Sequence, residues 1–223
     1  MLKKKIFALG LVLMMLIAPM NAFAMQSASN LQSNYDKEVV YQELSGKYGI
    51  SEEEIENLDV NLRIAMDKIN EQNIEDEEGV FVQVSENLIL EKHERVVSKP
   101  VISYSGYETM ATRVAYNRTV ESTLELKNIL GVTLVTLRST GVFYTDGIIS
   151  EPVDAYGDYS GVIWKLSSTS SEKGGQEYNA WVRNSFSGEL NIGIDPVHIT
   201  IQSFSKSGTV YCDANGSTSS SWN

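Results

Sequence analysis

Cysteine, histidine and proline are scarce in this chain. Cys212 is the only cysteine, and the sequence has two histidines and four prolines. One cysteine excludes an intramolecular disulfide, so the fold must be stabilised by an apolar core, which a chain of 223 residues is long enough to build. His93 and His198 are too far apart to supply a zinc-ligand spacing. We therefore expect no metal and no cofactor.

Basic residues are also few, with 18 Lys and Arg against 29 Asp and Glu and a net charge of −11. Most of the acidic excess lies before Pro100. Nucleic acids and anionic lipid headgroups are bound by clustered Lys and Arg, so such a surface repels them. We expect no nucleic-acid partner, and a membrane partner only under the toxin hypothesis given below.

The chain lacks a second long hydrophobic run after its N-terminal one. Lys3–Lys5 form a basic cluster, Ile6–Met20 are mostly apolar, and Ala22-Phe23-Ala24 follows with the spacing of a signal-peptidase site. The run of about fifteen residues is shorter than the ~20 that span a bilayer. We predict a signal peptide over 1–24, cleaved near Ala24, and a secreted, extracellular protein. Export with so little cysteine favours a Gram-positive source.

Residues 25–74 are predicted to form an acidic helical hairpin. Ser33 with Asp36 and Ser51 with Glu54 are capping boxes, and Gly49 suits the end of the first helix. These signals place helices over 34–48 and 52–72. The second carries an apolar stripe with helical spacing: Ile55, Leu58, Leu62, Ala65, Met66 and Ile69.

A different pattern begins after Pro100. Residues 75–101 show little regular periodicity and are predicted to be a connector with short strands. From 102 to 216 apolar residues alternate with polar ones, as in Leu190, Ile192 and Ile194. Single glycines, including those of Ser187-Gly188 and Ser207-Gly208, suggest turns between short strands. We predict a mainly β fold, an antiparallel β-sandwich of about 8–9 strands with an N-terminal α-helical hairpin. The Ser-rich tail 217–223 is predicted to be disordered.

The sequence offers little support for nucleophilic catalysis. A Cys212–His198 dyad requires their strands to be neighbours, and no G-x-S-x-G elbow is present. We assign no catalytic residue.

Acids and aromatic residues crowd one segment, a combination that suits carbohydrate because sugar faces stack on rings while hydroxyls bond carboxylates. Ca²⁺ is the alternative ligand of such oxygens, but the D-x-D-x-D-G spacing is missing. The predicted partner is a protein or a cell-surface glycan, bound through Tyr144, Asp146, Asp154, Tyr156, Asp158, Tyr159 and Trp164.

The segments Asn128–Leu134 and Gly141–Gly147 carry a motif pair, N-x-x-G-x-x-L and then G-x-F with a closing D-G. With Trp164 and Cys212 further on, the region 110–216 resembles small exported β-sandwich proteins of Gram-positive bacteria whose function is unknown. Here Phe143 is followed by Tyr144 and Thr145, a slightly different order. The resemblance implies export and a β-sandwich, and it transfers no catalytic residue.

Three functions are compatible with these patterns. The first is a secreted, non-catalytic β-sandwich protein that binds a cell-surface or extracellular partner. The second is a bacteriocin-like or toxin-like membrane-active protein with a helical pro-region, for which 119–128 and 160–168 would supply membrane-crossing strands. The third is a cell-wall glycan or peptide hydrolase that uses Asp146, Glu151, Asp154 or Asp158.

Overall fold

The chain folds into two antiparallel sheets that pack against each other, with helices at one end. The computed structural model describes residues 38–39, 41–72, 79–101, 115–175, 178–194 and 197–223. The predicted signal peptide and the first predicted capping box lie outside these residues. The mainly β, antiparallel character predicted from the sequence is confirmed.

The first sheet contains five strands in sequence order, and each strand pairs with the next in antiparallel orientation. The strands are β1 Val80–Gln83, β2 Leu88–Val101, β3 Ala115–Asn128, β4 Thr133–Thr145 and β5 Ser150–Gly161. The second sheet has four strands, also in sequence order: β6 Lys165–Gly174, β7 Asn179–Ile194, β8 Val197–Asp213 and β9 Thr218–Trp222.

Three helices precede the sheets in the described part of the chain. The first, α1, covers 41–48 and ends at Gly49, whose positive φ of 68° is the left-handed conformation that glycine adopts easily. The next, α2, is Glu52–Glu56, and α3 is Leu58–Asn70. The predicted single helix over 52–72 is therefore interrupted. The backbone of Asn57 leaves the helical conformation there, with φ −92° and ψ 1°, and its side-chain amide donates to the carbonyl of Glu53 at 3.0 Å.

The predicted connector over 75–101 contains a long strand instead. Strand β2 pairs with β3 along its whole length, from Leu88 opposite Asn128 to Val101 opposite Ala115. Its inner face mixes apolar residues with Lys92 and Glu94, which hides the alternation from a sequence pattern.

Two predicted turns are also wrong, because Ser187-Gly188 lies inside β7 and Ser207-Gly208 lies inside β8. These glycines serve packing. A Cβ on Gly188 would lie 2.4 Å from Cε1 of Phe204, and one on Gly208 would lie 2.7 Å from Cη2 of Trp222. Glycine within a strand often marks such a close approach.

The predicted disordered tail is the ordered strand β9. Trp222 is 1% exposed and stacks on Phe186 with ring centroids 6.0 Å apart. The side chain of Asn70, at the end of α3, bonds both the carbonyl and the amide of Trp222 at 2.7 and 3.1 Å. Helix α3 thereby fixes the edge of the second sheet.

Polar side chains connect the two sheets through the interior. The buried Lys92 ammonium donates to the carbonyl of Ser220 at 2.9 Å and lies 3.2 Å from the Glu94 carboxylate. Nearby, the hydroxyl of Ser139 in β4 donates to the carbonyl of Gly208 in β8 at 2.8 Å. Two apolar clusters adjoin this polar layer, and the larger one is shared by the helices and both sheets.

Candidate functional site

The larger apolar cluster contains a cavity at the helical end of the molecule. The cavity has a volume of about 30 Å³ and lies between α3 and the two sheets. Ligand pockets have volumes of ~300 Å³ or more, whereas a space of ~10–15 Å³ or more holds a single water molecule, so this cavity is a gap in the core packing. Both sheets and α3 supply the lining, in which ten of the eleven residues are Leu, Met, Val, Phe or Trp.

Helix α3 contributes one wall through residues at i, i+4 and i+8, which a helix places on one face. They are Leu58, Leu62 and Met66, all less than 8% exposed. Neighbouring strands of the first sheet supply the opposite wall: Leu90, Leu124, Leu126, Val135 and Leu137.

Two polar atoms belong to this apolar lining. The indole N–H of Trp164 is buried and has no hydrogen-bond acceptor within the described part of the chain. Trp164 is 4% exposed and meets Phe204 edge-on, with ring centroids 6.4 Å apart. Two residues beyond Phe204, the ammonium of Lys206 lies 3.4 Å from Asp59 Oδ1, and Lys206 is 9% exposed. The exposed surface of the cavity is nevertheless almost wholly apolar.

Four of the seven predicted binding residues share the outer face of the first sheet. The β4–β5 register pairs Val142 with Asp154, Thr140 with Tyr156 and Arg138 with Asp158, so these residues of β5 face outward. Tyr144 lies on the same face, opposite Glu151. Partial burial and then a hydrogen bond to Asp154 raise the pKa of Tyr156. This outer strip stays the predicted contact for a protein or a glycan.

The other three predicted residues lie elsewhere. Asp146 accepts the backbone N–H groups of Ile148 and Ile149, both at 2.9 Å, in the β4–β5 turn. Tyr159 lies on the inner face of β5, opposite Leu137, and is 39% exposed. Trp164 lines the cavity. Pleating and the turn after β5 separate residues that are close in sequence.

The positions of three of the four acids weigh against the hydrolase hypothesis. Glu151, Asp154 and Asp158 project from one face of a single strand, and side chains on one face point in parallel directions. They therefore do not face each other across a cleft, as the two acids of a glycosidase do. Asp158 is 73% exposed in its side chain and pairs with Arg138 at 3.4 Å.

A Cys212–His198 dyad is excluded because both residues belong to β8. Fourteen residues separate them, which at ~3.3 Å per residue is on the order of 45 Å. Cys212 is fully buried, and burial raises the pKa of its thiol.

The strands proposed for membrane crossing are corrected as well. Residues 160–168 include the turn 162–164 between β5 and β6, so they do not form one strand. Residues 119–128 belong to β3, where every second side chain is buried in the protein. Among the described residues, no helix has the length and apolar composition needed to cross a bilayer.

Glu91, His93 and Glu125 form a cluster on the outer face that resembles a metal-ligand set. The ammonium of Lys127 lies between the two carboxylates, 2.6 Å from Glu91 and 2.8 Å from Glu125. Burial alone would lower the pKa of Lys127, but the two carboxylates raise it. A protein cation thus already balances one of the two negative charges of this cluster.

Sequence patterns did not predict the cavity. The α3 stripe indicated a buried helix face, and Phe204 and Lys206 fell between two segments predicted as strands. They share one face because β8 continues through Gly208, where the sequence pattern predicted a turn.

No protein-family model, curated protein or solved structure matches this chain. The resemblance to exported Gram-positive proteins accordingly stays a prediction.

Proposed function

We propose that this chain is a secreted, non-catalytic β-sandwich protein that binds a cell-surface partner, a glycan or a protein. The observation that supports this proposal is the outer face of the first sheet, which Tyr144, Asp154, Tyr156 and Asp158 share. Tyr156 is 47% exposed, and the side chain of Asp158 is 73% exposed. Exposed tyrosine rings and carboxylates on one face can pack against and hydrogen-bond a partner.

Binding without chemistry is favoured by the acids of the same face. Glu151, Asp154 and Asp158 project from one face of a single strand, whereas the two acids of a glycosidase face each other across a cleft. A partner on this face would therefore be held and not converted.

Co-sedimentation with purified Gram-positive cell walls tests this proposal. We expect the purified protein without its signal peptide to bind the walls in a saturable way. Tyr156→Ala should abolish most of the binding, because it removes an exposed ring from this face. Tyr178→Ala is the matched control, since Tyr178 is 71% exposed and lies outside the first sheet.

Thermal unfolding of both variants, followed by circular dichroism, separates a loss of binding from unfolding. The proposal is refuted if the parent protein does not bind the walls. It is equally refuted if folded Tyr156→Ala binds them as well as the Tyr178→Ala control.

A further inference from the structure

We infer that Glu91, His93 and Glu125, on the outer face of the first sheet, form a binding site for Zn²⁺. The side-chain donor atoms of these three residues lie within 4.8 Å of one another. Zinc accepts imidazole and carboxylate ligands together, whereas Ca²⁺ and Mg²⁺ prefer oxygen ligands alone. The site is independent of the proposed function, since it requires no glycan or protein partner.

The pairing of β2 with β3 brings the three ligands together. Glu91 lies directly opposite Glu125, and His93 follows Glu91 by two residues on the same face. Like charges directly opposite each other destabilise a sheet, so this arrangement favours a cation between the two carboxylates. The sequence predicted no metal because the two histidines are far apart, but the other ligands here are carboxylates from two strands.

The distances suit a tetrahedral ion. Nε2 of His93 lies 3.4 Å from Oε2 of Glu91, which is long for a hydrogen bond. Two ligands bonded to one zinc ion at ~2.0–2.2 Å are ~3.3–3.6 Å apart at the tetrahedral angle. The opposite edge of the His93 ring packs against the backbone of Gly79, where a Cβ would lie 2.4 Å from Nδ1. Nε2 is therefore the nitrogen that faces the carboxylates.

Lys127 competes with a metal ion for this site. Its ammonium lies 2.6 Å from Glu91 and 2.8 Å from Glu125, between the two carboxylates. The side chains of Lys127 and His93 are 23% and 39% exposed, so water reaches the cluster and the flexible lysine can turn outward. A divalent ion would balance both carboxylates, and three protein ligands would leave a fourth position for water.

Calorimetric titration of the purified protein with zinc chloride tests the inference, and we expect one Zn²⁺ to bind per chain. His93→Gln should weaken zinc binding about tenfold or more, because even the loss of a residue that only orients a ligand costs ~10–100-fold. His198→Gln is the matched control, since it removes the other histidine of the chain, which belongs to β8 of the second sheet. Circular dichroism verifies that each variant is folded.

Lys127→Met should tighten zinc binding about fivefold or more, the effect of one unit charge at ~4 Å in water. Weaker zinc binding in folded Lys127→Met than in the parent protein would contradict the competition between the ammonium and the metal.

The inference is overturned if the parent protein shows no saturable zinc binding, or if folded His93→Gln binds zinc as tightly as the His198→Gln control. Titration with calcium chloride tests the metal class, and calcium binding as tight as zinc binding would overturn the zinc assignment. None of these outcomes bears on cell-wall binding, which Tyr156→Ala tests, so the two proposals can fail separately.

Discussion

At the residue scale, several glycines of this protein are required by packing. Gly188 lies in the middle of β7, where a Cβ would be 2.4 and 2.5 Å from the ring of Phe204 and 2.8 Å from Leu166. Phe204 also lines the cavity and contacts Trp164. The ring of Phe204 can therefore occupy its place in the cavity wall because residue 188 has no side chain.

Gly188→Ala should destabilise the protein by about 1–3 kcal/mol, the usual cost of overpacking a filled core. Urea unfolding measures this change. Gly46→Ala is the control, because no atom lies within 4 Å of the added Cβ and alanine favours the helical backbone. Equal stability of Gly188→Ala and the parent protein would contradict the packing role.

At the element scale, one carboxylate joins the helices to the first sheet. Glu54 closes the capping box of α2 with Ser51. It also accepts hydrogen bonds from the Ser85 hydroxyl at 2.6 Å and from the Asn87 amide N–H at 2.8 Å, both in the β1–β2 turn. Burial raises the pKa of Glu54, but the hydrogen bonds from Ser51, Ser85 and Asn87 outweigh this effect and lower it from 4.5 to about 2.

Glu54→Gln should therefore cost about 1–3 kcal/mol of stability at neutral pH, the loss of hydrogen bonds to a charged group. The pKa is lower in the folded state, so this stabilisation is complete above 4.5 and disappears as the pH falls toward about 2. Unfolding curves across this range should show the parent protein and Glu54→Gln converging in acid.

Glu53→Gln controls for the loss of a helix charge, because Glu53 is exposed in the same turn. If the difference in stability between Glu54→Gln and the parent protein is the same at every pH, the low pKa assigned to Glu54 is contradicted.

At the scale of the whole molecule, helices and sheets share one core. Tyr41 and Leu44 of α1, Ile69 of α3 and Trp222 of β9 all belong to the same buried cluster. Removal of the helices would expose this surface to water, so a cleavable helical pro-region would leave the sheets with an uncovered apolar end. A shared core also predicts one cooperative unfolding transition.

Ile69→Ala should lower the stability of helices and sheets together, by about 2–5 kcal/mol, because it opens a cavity in the shared core. Helical circular dichroism and tryptophan fluorescence should report coincident transitions in this variant. Ile69 is 0% exposed, and Ile64→Ala, at a position 48% exposed on the same helix, should leave both transitions unchanged. A shift confined to the helical signal would show that the helices fold separately.

The sequence by itself determined the local features. Capping at Ser51 and Glu54, the end of α1 at Gly49 and the buried stripe of α3 depend on contacts within a few residues, which a pattern captures. Alternation also fixed the mainly β character.

Only the tertiary structure decided the roles of Gly188, Gly208 and Trp222, which depend on side chains from other strands. The same holds for the cavity. Leu62, Trp164 and Lys206 are far apart in the chain, and they meet because α3 and the two sheets bury their apolar faces against one another.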